Sequence, residues 1–339
     1  MKSARAPALA AFTVANLAIF TSPLTAEEQG NEPETAPEIR FEKLDDGLRI
    51  TRGDEPLARY IFGDHRTTRP FFKEVHAPGG HQVSIHNPPK YETDHDHGSF
   101  HPGLYQAFGD ISGNDHWRMG SPVLHGGYVE SPRGGPGRGS FGVVNLLLTK
   151  TGDVYATETA RYTFLTRPHG TLILWESTIR SDTQDLVFGD QQELGMAIRV
   201  NALMNIKAGH GGRIRNSRGQ LNERGDNNTY GQPAEWCDYS GPVDDMFVGV
   251  CLMPHPENFR ISRYHARGYG VLVANPFAQR DFRSAFPKDE QPLIKKNRTV
   301  VKKGEPMRLR WGILLHTGKK DGDVDLQAAY EDYSSLLGH

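Results

Sequence analysis

Nine of the fifteen histidines of this chain (His65, His76, His81, His86, His95, His97, His101, His116 and His125) fall between positions 65 and 125. The densest run is YETDHDHGSFHPGL, residues 91–104, where acids and imidazoles alternate. In an extended segment His95 and His97 point to one side and Asp94 and Asp96 to the other, with His101 close behind. Imidazoles beside carboxylates suit proton transfer, because the imidazole titrates near neutral pH and the carboxylate fixes its tautomer. The same set offers nitrogen and oxygen ligands to a divalent metal such as zinc, iron or manganese, with His95, His97 and His101 as the ligands. A polar loop whose histidines bond to backbone is the third reading, and no cofactor is assigned firmly.

A second concentration, residues 107–118, supplies Asp110, Asn114, Asp115, His116, Trp117 and Arg118. Sugars present hydroxyls to acids, amides and guanidinium groups and a CH face to an indole, so this mixture suits carbohydrate. Glu193 and Arg199 stand at even spacing and share one face of a strand, as a catalytic pair or as an ion pair. Residues 234–241 add Trp236, Asp238 and Tyr239, whose phenol is a candidate proton donor. The Gly-x-Ser-x-Gly, His-Glu-x-x-His and dinucleotide-binding fingerprints are absent, as are paired CxxC motifs.

The elements that must position these groups are strands. The chain has 339 residues, 37% hydrophobic, with 37 glycines and 22 prolines, a composition that favours turns between short strands. Lysine and arginine number 39 against 41 acids, so a net charge of -2 gives no footprint for nucleic acid. Strands are expected over 39–44, 48–52, 57–62, 142–149, 154–165, 171–180, 186–188, 194–200, 234–239, 247–253, 269–273 and 307–316. The stretch SPRGGPGRGS, 131–140, reads as a loop. One helix is expected at the C-terminus, with Leu326, Ala329, Tyr330, Tyr333 and Leu336 on one face behind Asp323 as cap.

Lys2 and Arg5, an apolar run over 8–20 and small residues to Ala26 form a secretory layout. Residues 1–26 are therefore expected to be a signal peptide, 27–38 a disordered acidic leader and 39–339 a single β-sandwich domain. The protein is expected to be exported, to the periplasm or beyond, with a retained N-terminal anchor as the alternative. No later run is long and apolar enough for a transmembrane span. The two cysteines, Cys237 and Cys251, flank a turn near Asp244; a hairpin centred there places the sulfurs opposite each other, as a bridge or as two apolar thiols.

Several runs resemble a family of exported bacterial proteins labelled PmoA-like or DUF6807. They are Arg69-Pro-Phe-Phe, Asp94-His95 with His101-Pro-Gly-Leu, Phe108 to Trp117, Glu193 to Arg199, Trp236-Cys-Asp-Tyr-Ser-Gly, Tyr269 to Phe277 and Leu309 to His316. The family commonly has a shorter run ending Arg-Gly-Leu, whereas Pro102 stands here, and His101 aligns through Gly103 and Leu104. The resemblance implies an all-β body related to the galactose-mutarotase-like supersandwich, seen in aldose epimerases and polysaccharide lyases.

The resulting expectation is an all-β, large β-sandwich with a short C-terminal helix that acts on a glycan as a glycoside hydrolase or polysaccharide lyase. His95, His97, His101, Asp110, Glu193 and Tyr239 are its candidate catalytic groups. Asp94, Asn114, Asp115, His116, Trp117, Arg199 and Trp236 are candidates for holding the sugar, Arg199 against a uronate carboxylate. A non-catalytic sugar-binding module and a metal enzyme are the alternatives.

Overall fold

β-Branched and aromatic runs cut by Gly, Asp and Pro turns become strands throughout a computed structural model that describes residues 36–95 and 100–336. In chain order the strands are β1 (Glu38–Leu44), β2 (Gly47–Arg52), β3 (Glu55–Ile61), β4 (Phe71–Lys73), β5 (His76–Ala77), β6 (His81–Gln82), β7 (Leu104–Phe108), β8 (Val123–Pro136), β9 (Arg138–Leu148) and β10 (Val154–Arg167). There follow β11 (Gly170–Arg180), β12 (Leu186–Phe188), β13 (Leu194–Arg199), β14 (Arg213–Asn216), β15 (Cys237–Val243), β16 (Met246–Pro254), β17 (Arg263–Arg267), β18 (Val271–Asn275), β19 (Thr299–Val301) and β20 (Pro306–Gly318). The helix α1 (Leu326–Ser335) closes the described chain. The architecture is all-β with one short C-terminal helix, as expected.

Sixteen strands form one antiparallel sheet in the order β14-β15-β16-β20-β11-β10-β9-β8-β1-β2-β3-β4-β7-β13-β18-β17. The sheet folds back on itself as a sandwich: Phe72 of β4 packs its ring 5.1 Å from Tyr162 of β10 and 5.6 Å from Trp175 of β11. A buried polar network crosses the same interior. Gln106 of β7 donates to Glu158 and to Ser177, both at 2.8 Å, and Trp311 donates to Gln106 at 2.7 Å. Asn145 donates to the other Glu158 oxygen at 2.9 Å, so every Glu158 oxygen is bonded although the side chain is buried.

Four sequence expectations are corrected. The glycine-rich 131–140 is the tip of the long β8–β9 hairpin, not a loop; a Cβ on Gly134 would lie 2.0 Å from the Ile39 carbonyl oxygen, so glycine there admits the β1 backbone. β1 starts at Glu38, inside the stretch read as leader; residues 1–35, with the expected signal peptide, lie outside the described residues. The helix cap is Asp325, which accepts from Gln327 and Ala328, while Asp323 accepts from Lys319 and Lys320. The β15–β16 register pairs Cys237 with Leu252 and Asp238 with Cys251. That one-residue offset puts the two thiols on opposite faces of the sheet, and both are free and buried. Among the described residues no helix is long and apolar enough to cross a membrane.

Candidate functional site

On the outer face of the layer β4-β7-β13-β18, Tyr105, Ala107, Ala197, Val271 and Val273 form a small apolar floor with Trp117. Strand alternation sends Leu104, Gln106 and Phe108 the other way into the sandwich interior and leaves Tyr105 on this face. Gly103 makes the approach possible, since a Cβ there would lie 2.1 Å from the Phe72 carbonyl oxygen. The chain before it brings His101 back over the strand, with Nδ1 2.5 Å from the Tyr105 hydroxyl. Both side chains are buried.

Arg69 locks this pair in place. Its guanidinium donates to the carbonyls of His116 at 3.1 Å and Trp117 at 2.8 Å, and to that of Phe100, and it sits 4.4 Å over the Tyr105 ring. Burial lowers the Arg69 pKa to about 10, still cationic at neutral pH. Burial pushes the Tyr105 phenol up, opposed by Arg69 and Arg199. Trp117 packs edge-on against Tyr105 at 5.2 Å and His101 at 5.6 Å.

Around this centre lies a rim of guanidinium groups. Arg199, at the end of β13, stands 4.9 Å from the Tyr269 ring, and Arg267 of β17 stands 5.5 Å from the same ring. Arg267 pairs with Glu223 at 2.9 Å, and Arg118 pairs with Glu193 at 3.0 Å. Tyr269, Arg267, Glu223, Arg118 and Glu193 all keep exposed surface, whereas Arg199 is buried. The arrangement offers a buried His–Tyr pair able to share a proton, bordered by cations that suit an anionic ligand.

The structure gathers His101, Trp117 and Arg199 of the expected residues here, with Glu193 on the rim. Glu193 and Arg199 share a face as expected, but six residues of strand separate them by about 20 Å, and Glu193 pairs with Arg118 instead. Asp115 also binds Arg118, at 3.1 Å. Asp94 is buried and accepts from the Lys90 and Tyr91 amides, which closes a turn. His95 ends that turn, exposed, and His97 lies outside the described residues. Asp110 accepts from the Gly113 amide, and Asn114 donates to the Ile111 carbonyl.

Two expected groups face elsewhere. Tyr239 points into the sandwich interior and donates to the Gly268 carbonyl at 3.2 Å. Trp236 packs beneath α1 and donates to Gln327 at 3.0 Å. His116 is buried with both nitrogens used: Nδ1 donates to the Ser121 carbonyl at 2.9 Å, so Nε2 accepts from the Tyr155 hydroxyl at 2.8 Å. Burial lowers its pKa to about 4. Among the described residues no three His, Cys, Asp or Glu side chains are grouped as metal ligands would be.

Sequence reasoning assigned no role to Tyr105, Arg69, Tyr269, Arg267 or Glu223. Arg69 and Tyr269 did lie in the quoted family runs, the one available signal for them. Tyr105 sits in a strand buried on both faces, so no alternation marks it.

Comparison with known proteins gives one match in sequence and distant ones in structure. The model of a "Family of unknown function (DUF6807)" matches residues 47–330. No curated protein matches the chain. Among solved structures, a galactose mutarotase-like protein from Lactobacillus casei ATCC 334 is 11% identical over 83% of this chain and 100% of its own, with a TM-score of 0.33. A glycoside hydrolase family 97 enzyme from Pseudoalteromonas sp. strain K8, in complex with acarbose, is 10% identical over 83% of this chain and 34% of its own, at 0.33. A galactose mutarotase related enzyme from Lactobacillus acidophilus is 10% identical over 85% and 99%, at 0.31.

Proposed function

The chain belongs to the DUF6807 family, and for this member we propose a carbohydrate-active enzyme that cleaves a uronate-containing glycan by elimination at the His101–Tyr105 site. The observation that carries the reading is the 2.5 Å contact between His101 Nδ1 and the Tyr105 hydroxyl inside a border of arginines. Elimination needs a base for the proton next to the sugar carboxylate and an acid for the leaving oxygen. His101 takes the first proton, the C–O bond to the leaving sugar breaks as the ring double bond forms, and Tyr105 gives its proton to the departing oxygen. Transfer along the His101–Tyr105 hydrogen bond then restores both groups. Arg199, beside Tyr269 at the edge of the site, would hold the carboxylate and stabilise the charge that develops on it. Hydrolysis is less well supported, because the nearby carboxylates Glu193 and Glu223 are each paired to an arginine.

A sugar-binding role without catalysis is the second reading. It is favoured by one observation: His101 and Tyr105 are buried while Tyr269, Arg267 and Arg118 reach solvent. The secretory layout of residues 1–26 supports export to where such glycans occur. Product masses from a panel of uronic and neutral polysaccharides test the proposal. Unsaturated uronate products are expected; a gain of one water per cut means hydrolysis, and retention without cleavage means binding alone.

A further inference from the structure

Inside the sandwich, three rows of buried side chains cross β9, β10 and β11. Asn145, Glu158 and Ile179 form the first, Val143, Ala160 and Ser177 the second, and Phe141, Tyr162 and Trp175 the third. Every second residue of a strand faces the same way, so all three rows point into one interior. The middle row carries the short side chains of Ala160 and Ser177, which leave space between the longer side chains on either side. A cavity of about 20 Å³ is lined by residues of both outer rows, Asn145, Glu158, Ile179, Tyr162 and Trp175, and by Gln106 of β7.

Two polar atoms of this lining are buried and have no hydrogen-bond partner among the described residues: Asn145 Oδ1, an acceptor, and Trp175 Nε1, a donor. The Asn145 amide is oriented by its nitrogen, which donates to Glu158 at 2.9 Å, so its oxygen must be served from elsewhere. Arg69, which locks the His101–Tyr105 pair, also lines the cavity, and its Nε likewise lacks a partner. A cation cannot accept from the Trp175 N–H, and an anion would meet the Glu158 carboxyl. A group that both donates and accepts serves both orphaned atoms. The volume admits one or two waters and no larger molecule, and a cavity with this many polar partners holds water where an apolar one stays dry.

We propose that this cavity is an internal water-binding site, in which bound water donates to Asn145 Oδ1 and accepts from Trp175 Nε1, as one molecule or as two bonded to each other. The site is independent of the proposed reaction, so its test reads no activity. A crystal structure of the full chain, at a resolution that shows ordered solvent, is expected to place water within hydrogen-bond distance of both atoms. In solution the Trp175 indole N–H, assigned by its loss in Trp175→Phe, is expected to give a nuclear Overhauser cross-peak to water with the sign of a long-lived bound molecule. Asn145→Leu, close in size but without the acceptor, is expected to weaken that cross-peak about tenfold, the equivalent of one lost hydrogen bond. Direct bonding of Trp175 Nε1 to a protein group, solvent density absent from this cavity but present at other buried places, or an undiminished cross-peak in Asn145→Leu would overturn the proposal. An anomalous peak in the cavity after a bromide or rubidium soak would mean an ion in place of water and would overturn it as well. Should Asn145→Leu fail to fold, the density and the parent's own cross-peak decide.

Discussion

The Tyr105 hydroxyl lies 2.5 Å from His101 Nδ1, although the side chains come from a loop and from the strand that follows it. Their closeness depends on Gly103, where the chain passes against the Phe72 backbone, and on Arg69, which ties Phe100 to the carbonyls of His116 and Trp117. Chemistry is thereby assigned to a pair that neither residue could supply alone.

Arginines on the rim set the preference for an anionic sugar. Arg118→Ala and Arg267→Ala are each expected to weaken binding of a uronate oligosaccharide about tenfold at low salt, from loss of one charged hydrogen bond. Binding of a neutral oligosaccharide of the same length should change little. Calorimetry at two salt concentrations checks this, and equal losses for both sugars would contradict it.

His116 makes the fold sensitive to acid. Its native pKa of about 4 lies below the unfolded value near 6.5, so the unfolded chain takes up a proton first as pH falls. The stability His116 supports is complete above about pH 6.5 and is lost as pH drops towards 4, by about 3 kcal/mol. His265, lowered to about 3 by burial and by Arg267, adds in the same direction. In His116→Gln the melting temperature should be lower at pH 7 but fall less steeply between pH 6.5 and 4.

Glu158 acts in the opposite sense. Burial raises its pKa above the usual carboxylate value, against the pull of Ser177, Asn145 and Gln106. Its contribution is therefore full below the unfolded pKa and declines as pH rises through the folded one. Glu158→Gln removes that dependence, and because Asn145 Oδ1 is a buried acceptor with no partner among the described residues, a turned Asn145 amide can receive the new donor. The variant should stay within about 1 kcal/mol of the parent at pH 8, whereas Glu158→Ala should cost about 3 kcal/mol or more. Denaturant melts across pH 5 to 8 distinguish the two.

Much of the strand plan was legible because turn residues and apolar runs act locally: β10, β11 and β20 match their expected ranges closely. What escaped depends on long-range packing. The glycines at 134 and 139 make room for Ile39, which no local pattern reveals, and the register that parts Cys237 from Cys251 differs from the expected one by a single residue. At the candidate site His101 stood out by residue type, while Tyr105 and Arg69 looked like ordinary core and loop residues. Asp94 and His116 carry groups suited to chemistry, yet the folded chain uses them for backbone and tyrosine hydrogen bonds.

The most direct test compares the full chain with Tyr105→Phe and His101→Gln on the uronate polysaccharide that the panel identifies, reading the ultraviolet absorbance of unsaturated uronate ends. The account predicts product from the parent and a fall of about a hundredfold or more in kcat for each variant, with melting temperatures and oligosaccharide affinity largely kept. Undiminished turnover in either variant, or cleavage that adds water instead of forming the double bond, would contradict it.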